Sequence, residues 1–201
     1  MHTITLDTNN DGRFGNYLES LFGIPENNRK GSDLPGIELK TKVSKSAHIT
    51  LFSKEPDYKA LSTFDMICEY GSLGKLNARV KSDHIWNNLF VTISNNCIEV
   101  YDELKDIVIC SWTRESIEER IIEKIQNIEL YNVTDYGSSF SYDSKDTYTG
   151  TSYERFIELV KQGLIVIDFR MKFGKNRGTA FRIYKKYMDD LYNTNSYQVL
   201  T

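Results

Sequence analysis

Lys30-Gly31-Ser32-Asp33-Leu34-Pro35-Gly36-Ile37-Glu38-Leu39-Lys40-Thr41-Lys42 begins as a turn and ends as a strand. Gly31, Ser32, Pro35 and Gly36 are turn formers. The run Ile37 to Lys40 then alternates apolar and charged residues, so a strand here sends Ile37 and Leu39 to one face and Glu38 and Lys40 to the other. Asp33, on the preceding loop, is close enough to curl round to the strand. Two carboxylates and one ammonium at a strand end suit Mg²⁺-assisted phosphodiester hydrolysis. The carboxylates hold a hard, oxygen-seeking ion that keeps several waters. The ion polarises a phosphate and acidifies a water, and the lysine orients that water or offsets charge on the phosphorus centre. The bare Asp-x4-acid-x-Lys pattern arises by chance on the order of 0.2 times per chain, so the rest of the chain has to decide between this reading and a solvent-facing strand.

Working outward, residues 14 to 23 carry the stripe Phe14, Tyr17, Leu18, Leu21, Phe22, which predicts a short helix stopped by Gly23 and Pro25. Glu19 lies beside that stripe, where it can face the same cleft as the strand. His48 to Phe52 reads as a second strand, and 61 to 69 as helix or strand. Gly71 to Lys75 is a turn without the spacing of a P-loop. Leu89–Ile93 and Cys97–Tyr101 flank Ser94-Asn95-Asn96, a hairpin signal. Ile107 to Trp112 is a further apolar run. A helix is expected over 115 to 130, with Ile117, Ile121, Ile125 and Ile128 on one face and Thr113 as its N-cap. Residues 134 to 152, polar and rich in Ser, Thr, Asp, Gly and Tyr, read as a long loop, either a plain surface loop or one carrying Tyr136, Tyr142 and Tyr148 to DNA. A helix over 153 to 161 and a buried strand over 164 to 170 follow.

From Phe169 to Tyr187 there are seven basic residues and no acid: Arg170, Lys172, Lys175, Arg177, Arg182, Lys185 and Lys186. In a chain of net charge −3 this is a sharp local asymmetry. It is the electrostatic footprint that DNA binding requires, and the arginines can reach guanine edges in a major groove. The overall acidity argues against a general nucleic-acid coat protein. The length of 201 residues suits one domain, or two small lobes sharing a core. No apolar run approaches the roughly 18 residues that span a bilayer, and Met1 to Gly12 reads as neither signal nor transit peptide. Cys68, Cys97 and Cys110 are scattered and read as reduced thiols of a cytoplasmic protein. His2, His48 and His84 are too dispersed for a zinc site or a Ser-His-Asp triad.

Together these pieces resemble the MvaI/BcnI family of type II restriction endonucleases, relatives of the mismatch-repair nicking enzyme MutH. The resemblance rests on Gly15-Asn-Tyr-Leu-Glu19, Phe-Gly-Ile-Pro-Glu-Asn at 22 to 27, the block 30 to 42, Ile-Thr-Leu-Phe at 49 to 52, Glu55-Pro56, Ile-Asp-Phe-Arg at 167 to 170 and Gly-Thr-Ala-Phe-Arg-Ile at 178 to 183. Residues 57 to 160 agree only in outline. The resemblance implies an α/β, restriction-endonuclease-like (MutH-type) fold: a mixed sheet core flanked by helices, with two lobes around a DNA cleft. The expected division is a catalytic lobe over 1–112 and a DNA-recognition lobe over 113–201. It implies Asp33 and Glu38 as Mg²⁺ ligands, Lys40 beside the attacking water and Glu19 as a supporting glutamate. Asp168, Arg170 and Arg182 fall where the family reads DNA; an acid accepts from cytosine N4 and an arginine donates to guanine. The family's His-Asp-His-Gly-Thr-x-Phe-Arg motif is here Lys175-Asn176-Arg177-Gly178-Thr179-Ala180-Phe181-Arg182, so Lys175 and Arg177 replace two histidines among the reading residues. The expected partner is double-stranded DNA, read around G·C pairs, by a monomer with a possible cognate DNA methyltransferase in the cell. A MutH-like nicking enzyme and a catalytically inert DNA-binding module are the alternatives.

Overall fold

The computed structural model describes residues 4–5, 12–24, 31–43, 47–175 and 177–200. Pro25 as a helix stop, Lys30 at the head of the opening stretch, Asn176 in the basic motif and most of the N-terminal stretch lie outside the described residues. In chain order the elements are β1 (Ile4–Thr5), α1 (Arg13–Leu21), β2 (Glu38–Val43), β3 (His48–Ser53), β4 (Tyr58–Lys59), α2 (Thr63–Tyr70), β5 (Lys75–Val80), β6 (Leu89–Ser94), β7 (Cys97–Asp102), β8 (Ile107–Thr113), α3 (Arg114–Lys124), β9 (Asn127–Asp135), β10 (Ser139–Thr149), α4 (Tyr153–Lys161), β11 (Ile165–Lys172), β12 (Thr179–Tyr184), α5 (Met188–Leu191) and β13 (Thr194–Val199).

The strands form three sheets. The first has the order β1-β10-β9-β2, with β13 also on β10; the second is β3-β12-β11-β5; the third is β4-β8-β7-β6. The first is mixed, because β2 runs parallel to β9 while the other pairs are antiparallel. The expected α/β mixed-sheet core with flanking helices is therefore the observed architecture. The expected division at 112/113 does not follow the sheets. β2 from the first half pairs with β9 from the second, and β3 and β5 from the first half flank β12 and β11 from the second.

One large core joins the sheets and helices, from Ile49, Leu51 and Phe52 through Trp112, Ile117, Ile121 and Ile128 to Phe156, Ile167, Phe181 and Leu191. Phe181 packs between Phe52 and Trp112, with ring centroids 5.2 Å away in both cases. Trp112 donates its indole N–H to the Lys54 carbonyl at 3.0 Å, which removes its one polar atom from the apolar cost.

Two expectations fail for physical reasons. The helix over 115 to 130 stops at Lys124, with Ile125 as its C-cap, and Ile128 belongs to β9. The isoleucines continue past the helix end because strand and helix bury them in the same core. Residues 134 to 152 are no loop: β9 runs to Asp135, and β10 takes 139 to 149 along β9, with β13 pairing 144 to 149 and β1 pairing 139 and 140 on its other side. Tyr148 is buried, and the Tyr142 hydroxyl donates to the Phe14 carbonyl at 2.6 Å, so neither is carried to DNA by a loop. Among the described residues no helix is long and apolar enough to cross a membrane.

Candidate active site and basic sheet

The opening stretch makes its turn at Leu34-Pro35-Gly36-Ile37. Leu34 and Ile37 exchange backbone hydrogen bonds of 2.9 and 3.1 Å, and Gly36 has φ +72°. Proline followed by a glycine at positive φ suits a type II turn, and a side chain at position 36 would be strained there. The turn folds Asp33 back onto β2, where Asp33 Oδ2 accepts the Leu39 N–H at 2.9 Å. β2 is an edge strand, paired only with β9, so its outer side is open to Asp33.

Alternation along β2 sends Glu38, Lys40 and Lys42 to one face. The other face carries Leu39, which packs with Leu18 of α1 and Tyr131 of β9. α1 therefore stands on the Leu39 face, with Glu19 half-buried one residue on from Leu18. Glu38 is buried, and Lys40 Nζ lies 3.3 Å from its carboxylate. A second ammonium, from Lys124, donates to the same carboxylate at 3.1 and 3.4 Å. Lys124 ends α3, and the parallel register Glu38↔Ile128 brings that helix end to the site. Asn127 Nδ2 donates to the Gly36 carbonyl at 3.0 Å and ties β9 to the turn. The sequence reading missed Lys124. Its one local signal, a cation in the last turn of a helix, is what the helix dipole alone favours.

The donor set here is two carboxylates without His or Cys. Among the described residues no three His, Cys, Asp or Glu side chains come close enough to form a metal cage. A donor set of two carboxylates is of the kind that holds Mg²⁺, which keeps water and substrate oxygens as its other ligands.

The second sheet presents a polar face. β5 alternates exposed Lys75, Asn77 and Arg79 with buried Leu76, Ala78 and Val80. Its register with β11 sets Lys75 beside Lys172, Asn77 beside Arg170 and Arg79 beside Asp168. β12 adds Arg182, paired with Thr50 of β3. These residues, with Lys175 and Arg177, line a cavity of about 520 Å³. Asp168 is buried, 2.9 Å from Arg182 and 3.8 Å from Arg79. Arg170 donates to Ser53 Oγ and to the Arg177 carbonyl at 2.9 and 3.1 Å. Burial and the neighbouring Arg182 and Arg177 pull its pKa below the usual arginine value, against the opposing pull of Asp168. Lys175 and Arg177 are exposed near the β11–β12 hairpin tip. Lys75, Asn77 and Arg79 were overlooked in the sequence, although Lys-Leu-Asn-Ala-Arg-Val alternates as a half-buried strand should.

The two faces meet at Lys42 and His48. Burial and the cations Arg79 and Arg182 lower the His48 pKa to about 4, Asp168 opposing them. Its ring stacks at a tilt on Tyr184, 3.9 Å between centroids. Burial, Lys185 and Arg182 likewise lower Lys42.

An acid–lysine edge strand in one sheet beside a cationic second sheet defines a nuclease-like class. The chain belongs to the MvaI/BcnI restriction endonuclease family, whose model matches residues 3–192. It is similar in fold to a solved structure described as a restriction endonuclease MvaI-cognate DNA substrate complex, with TM-score 0.83, 20% identity and coverage of 99% of this chain and 92% of that one. A second, restriction endonuclease MvaI in the absence of DNA, matches with TM-score 0.54, 22% identity and coverage of 91% and 85%. No curated protein sequence matches the chain. The family and fold expected from the opening stretch and the C-terminal motifs are the ones found.

Proposed function

We propose that this chain is a Mg²⁺-dependent type II restriction endonuclease that hydrolyses phosphodiester bonds at a specific sequence in double-stranded DNA, leaving a 5′-phosphate and a 3′-hydroxyl. The observation that carries the reading is the packing of Asp33, Glu38, Lys40 and Lys124 around one edge strand beside a basic sheet. Asp33 and Glu38 are the groups that would hold Mg²⁺, which when bound polarises the phosphate and acidifies a water. Lys40 orients that water and offsets the charge that develops on the phosphate oxygens. Lys124 holds the Glu38 carboxylate in place beside Lys40, and Glu19, on α1 at the Leu39 face, supports β2 from behind the Glu38 row. The basic face reads the duplex: Arg170 and Arg182 donate to guanine, Asp168 accepts from cytosine, and Lys175 and Arg177 contact the hairpin-proximal part of the site or its phosphates. The similarity in fold to an MvaI–DNA complex supports a duplex as substrate. The family resemblance supports a monomer, with a possible cognate DNA methyltransferase in the cell.

The test is incubation with a long DNA of known sequence, with Mg²⁺ and with EDTA. Discrete bands only with Mg²⁺ are expected, the ends mapping to a site containing G·C pairs. Lys40→Ala should abolish cleavage and leave DNA binding largely intact. A wild-type protein that only relaxes supercoiled circles, or cuts nothing, would defeat the reading.

A further inference from the structure

Lys42 is the third residue of the row Glu38, Lys40, Lys42 and is 5% exposed. Its Nζ has no hydrogen-bond partner among the described residues. A buried ammonium without a partner is costly, and here Lys185 and Arg182 add like charge. Lys42 lines a cavity of about 1040 Å³ together with Asn132, Ser144, Tyr184, Lys185 and Lys186. The acids of that cavity are already engaged. Asp143 accepts from the Ser141 and Thr134 hydroxyls, Asp146 from Asn132 at 2.9 Å, with Lys185 3.8 Å away, and Asp189 from Asn195 at 2.6 Å. Lys185 also donates to Asn132 Oδ1. The carboxylates of the cavity are thus satisfied, while one buried cation is not, and the ligand that suits it is an anion.

Position says which anion. Two residues along a strand advance about 6.6 Å, a step of the same size as that between neighbouring phosphates of one DNA strand. We propose that Lys42 holds the backbone phosphate adjoining the one at Glu38 and Lys40, so that β2 tracks the cleaved strand. This rests on the nuclease reading. It adds a cation outside the acid–lysine motif, which bridges the catalytic strand and the Arg182 face of the recognition sheet.

The test measures binding to a duplex carrying the mapped site, in EDTA, between about 50 and 200 mM salt. Lys42→Met should weaken binding several-fold and flatten the slope of log K against log salt by about 0.9, one phosphate contact. Without DNA it should melt at or above the wild-type temperature, since a buried charge has been removed. An unchanged salt slope overturns the proposal alone. A variant that melts earlier makes Lys42 a structural group and also overturns it. Stabilisation of wild type, but not Lys42→Met, by inorganic phosphate with the DNA slope unaltered would assign the site to a free anion instead. A wild type that binds no duplex overturns the nuclease reading along with it.

Discussion

His48 offers a quantitative test of how the two sheets meet. It is buried at the start of β3, stacked on Tyr184, and faces Arg79 from β5, Arg182 from β12, Lys42 from β2 and, opposing these cations, Asp168 from β11. These surroundings lower its pKa from 6.5 to about 4. The folded state therefore refuses a proton that the unfolded chain accepts between those values. Stability from this group is full above pH 6.5, falls as pH drops through the window, and levels off below about 4. At 1.36 kcal/mol per unit the whole fall is roughly 3 kcal/mol, and by pH 5 about 2 kcal/mol of it has been lost. His48→Gln keeps a polar side chain without the titration. Urea unfolding of both proteins at pH 7, 5.5 and 4.5, without DNA, should show the wild type losing stability faster than the variant, the gap widening as pH falls. Parallel losses would mean that the imidazole is not held among the cations of the basic sheet, and the packing described for Lys42, Arg182 and His48 would be refuted.

Other expectations follow from the same geometry. Lys124→Met should lower the single-turnover cleavage rate roughly 10²-fold while leaving metal-free DNA binding within a few-fold of wild type; wild-type cleavage would remove Lys124 from the site. Asp168→Asn leaves Arg182 and Arg79 facing a neutral amide and should cost roughly 2–4 kcal/mol in chemical denaturation; a loss under about 1 kcal/mol would mean that this carboxylate is not what holds the arginines. Thr113→Ala removes the hydroxyl that accepts the Ser116 N–H at the start of α3, and should cost about 1 kcal/mol by thermal or urea melting.

What the sequence made legible was local. The turn Leu34 to Ile37, the alternation of Glu38, Leu39 and Lys40, and the Thr113 cap each depend on neighbours a few residues away. The hairpin at 94 to 96 is of the same kind, with Asn95 and Asn96 at φ +47° and +62°. Lys124 was not legible, because it meets Glu38 across 86 residues through a parallel strand pairing that no short window contains. The Ser-, Thr- and Tyr-rich stretch over 139 to 149 hid its strand because its backbone pairs with β9 and β13, which side-chain hydropathy does not show. At β5 the alternation was visible, but the Leu73-Gly74 turn just before it drew the reading away. Gly74 has φ +71°, and a Cβ there would sit 2.8 Å from the Phe173 ring, so turn and strand are one device joining α2 to the hairpin tip.

The interweaving of the two sheets bears on how such an enzyme acquires new targets. Because β3 and β5 leave the first half of the chain to flank β12 and β11, and β9 from the second half pairs with β2, the proposed reading surface is not a cassette. No single cut in the gene separates recognition from cleavage, so a chimera made at one junction would break both sheets. New specificity has to arise residue by residue, on an exposed row such as Lys75, Asn77 and Arg79. Each such change is tried on a scaffold in which β9, the partner of the strand bearing Glu38 and Lys40, shares its core with the surface under selection.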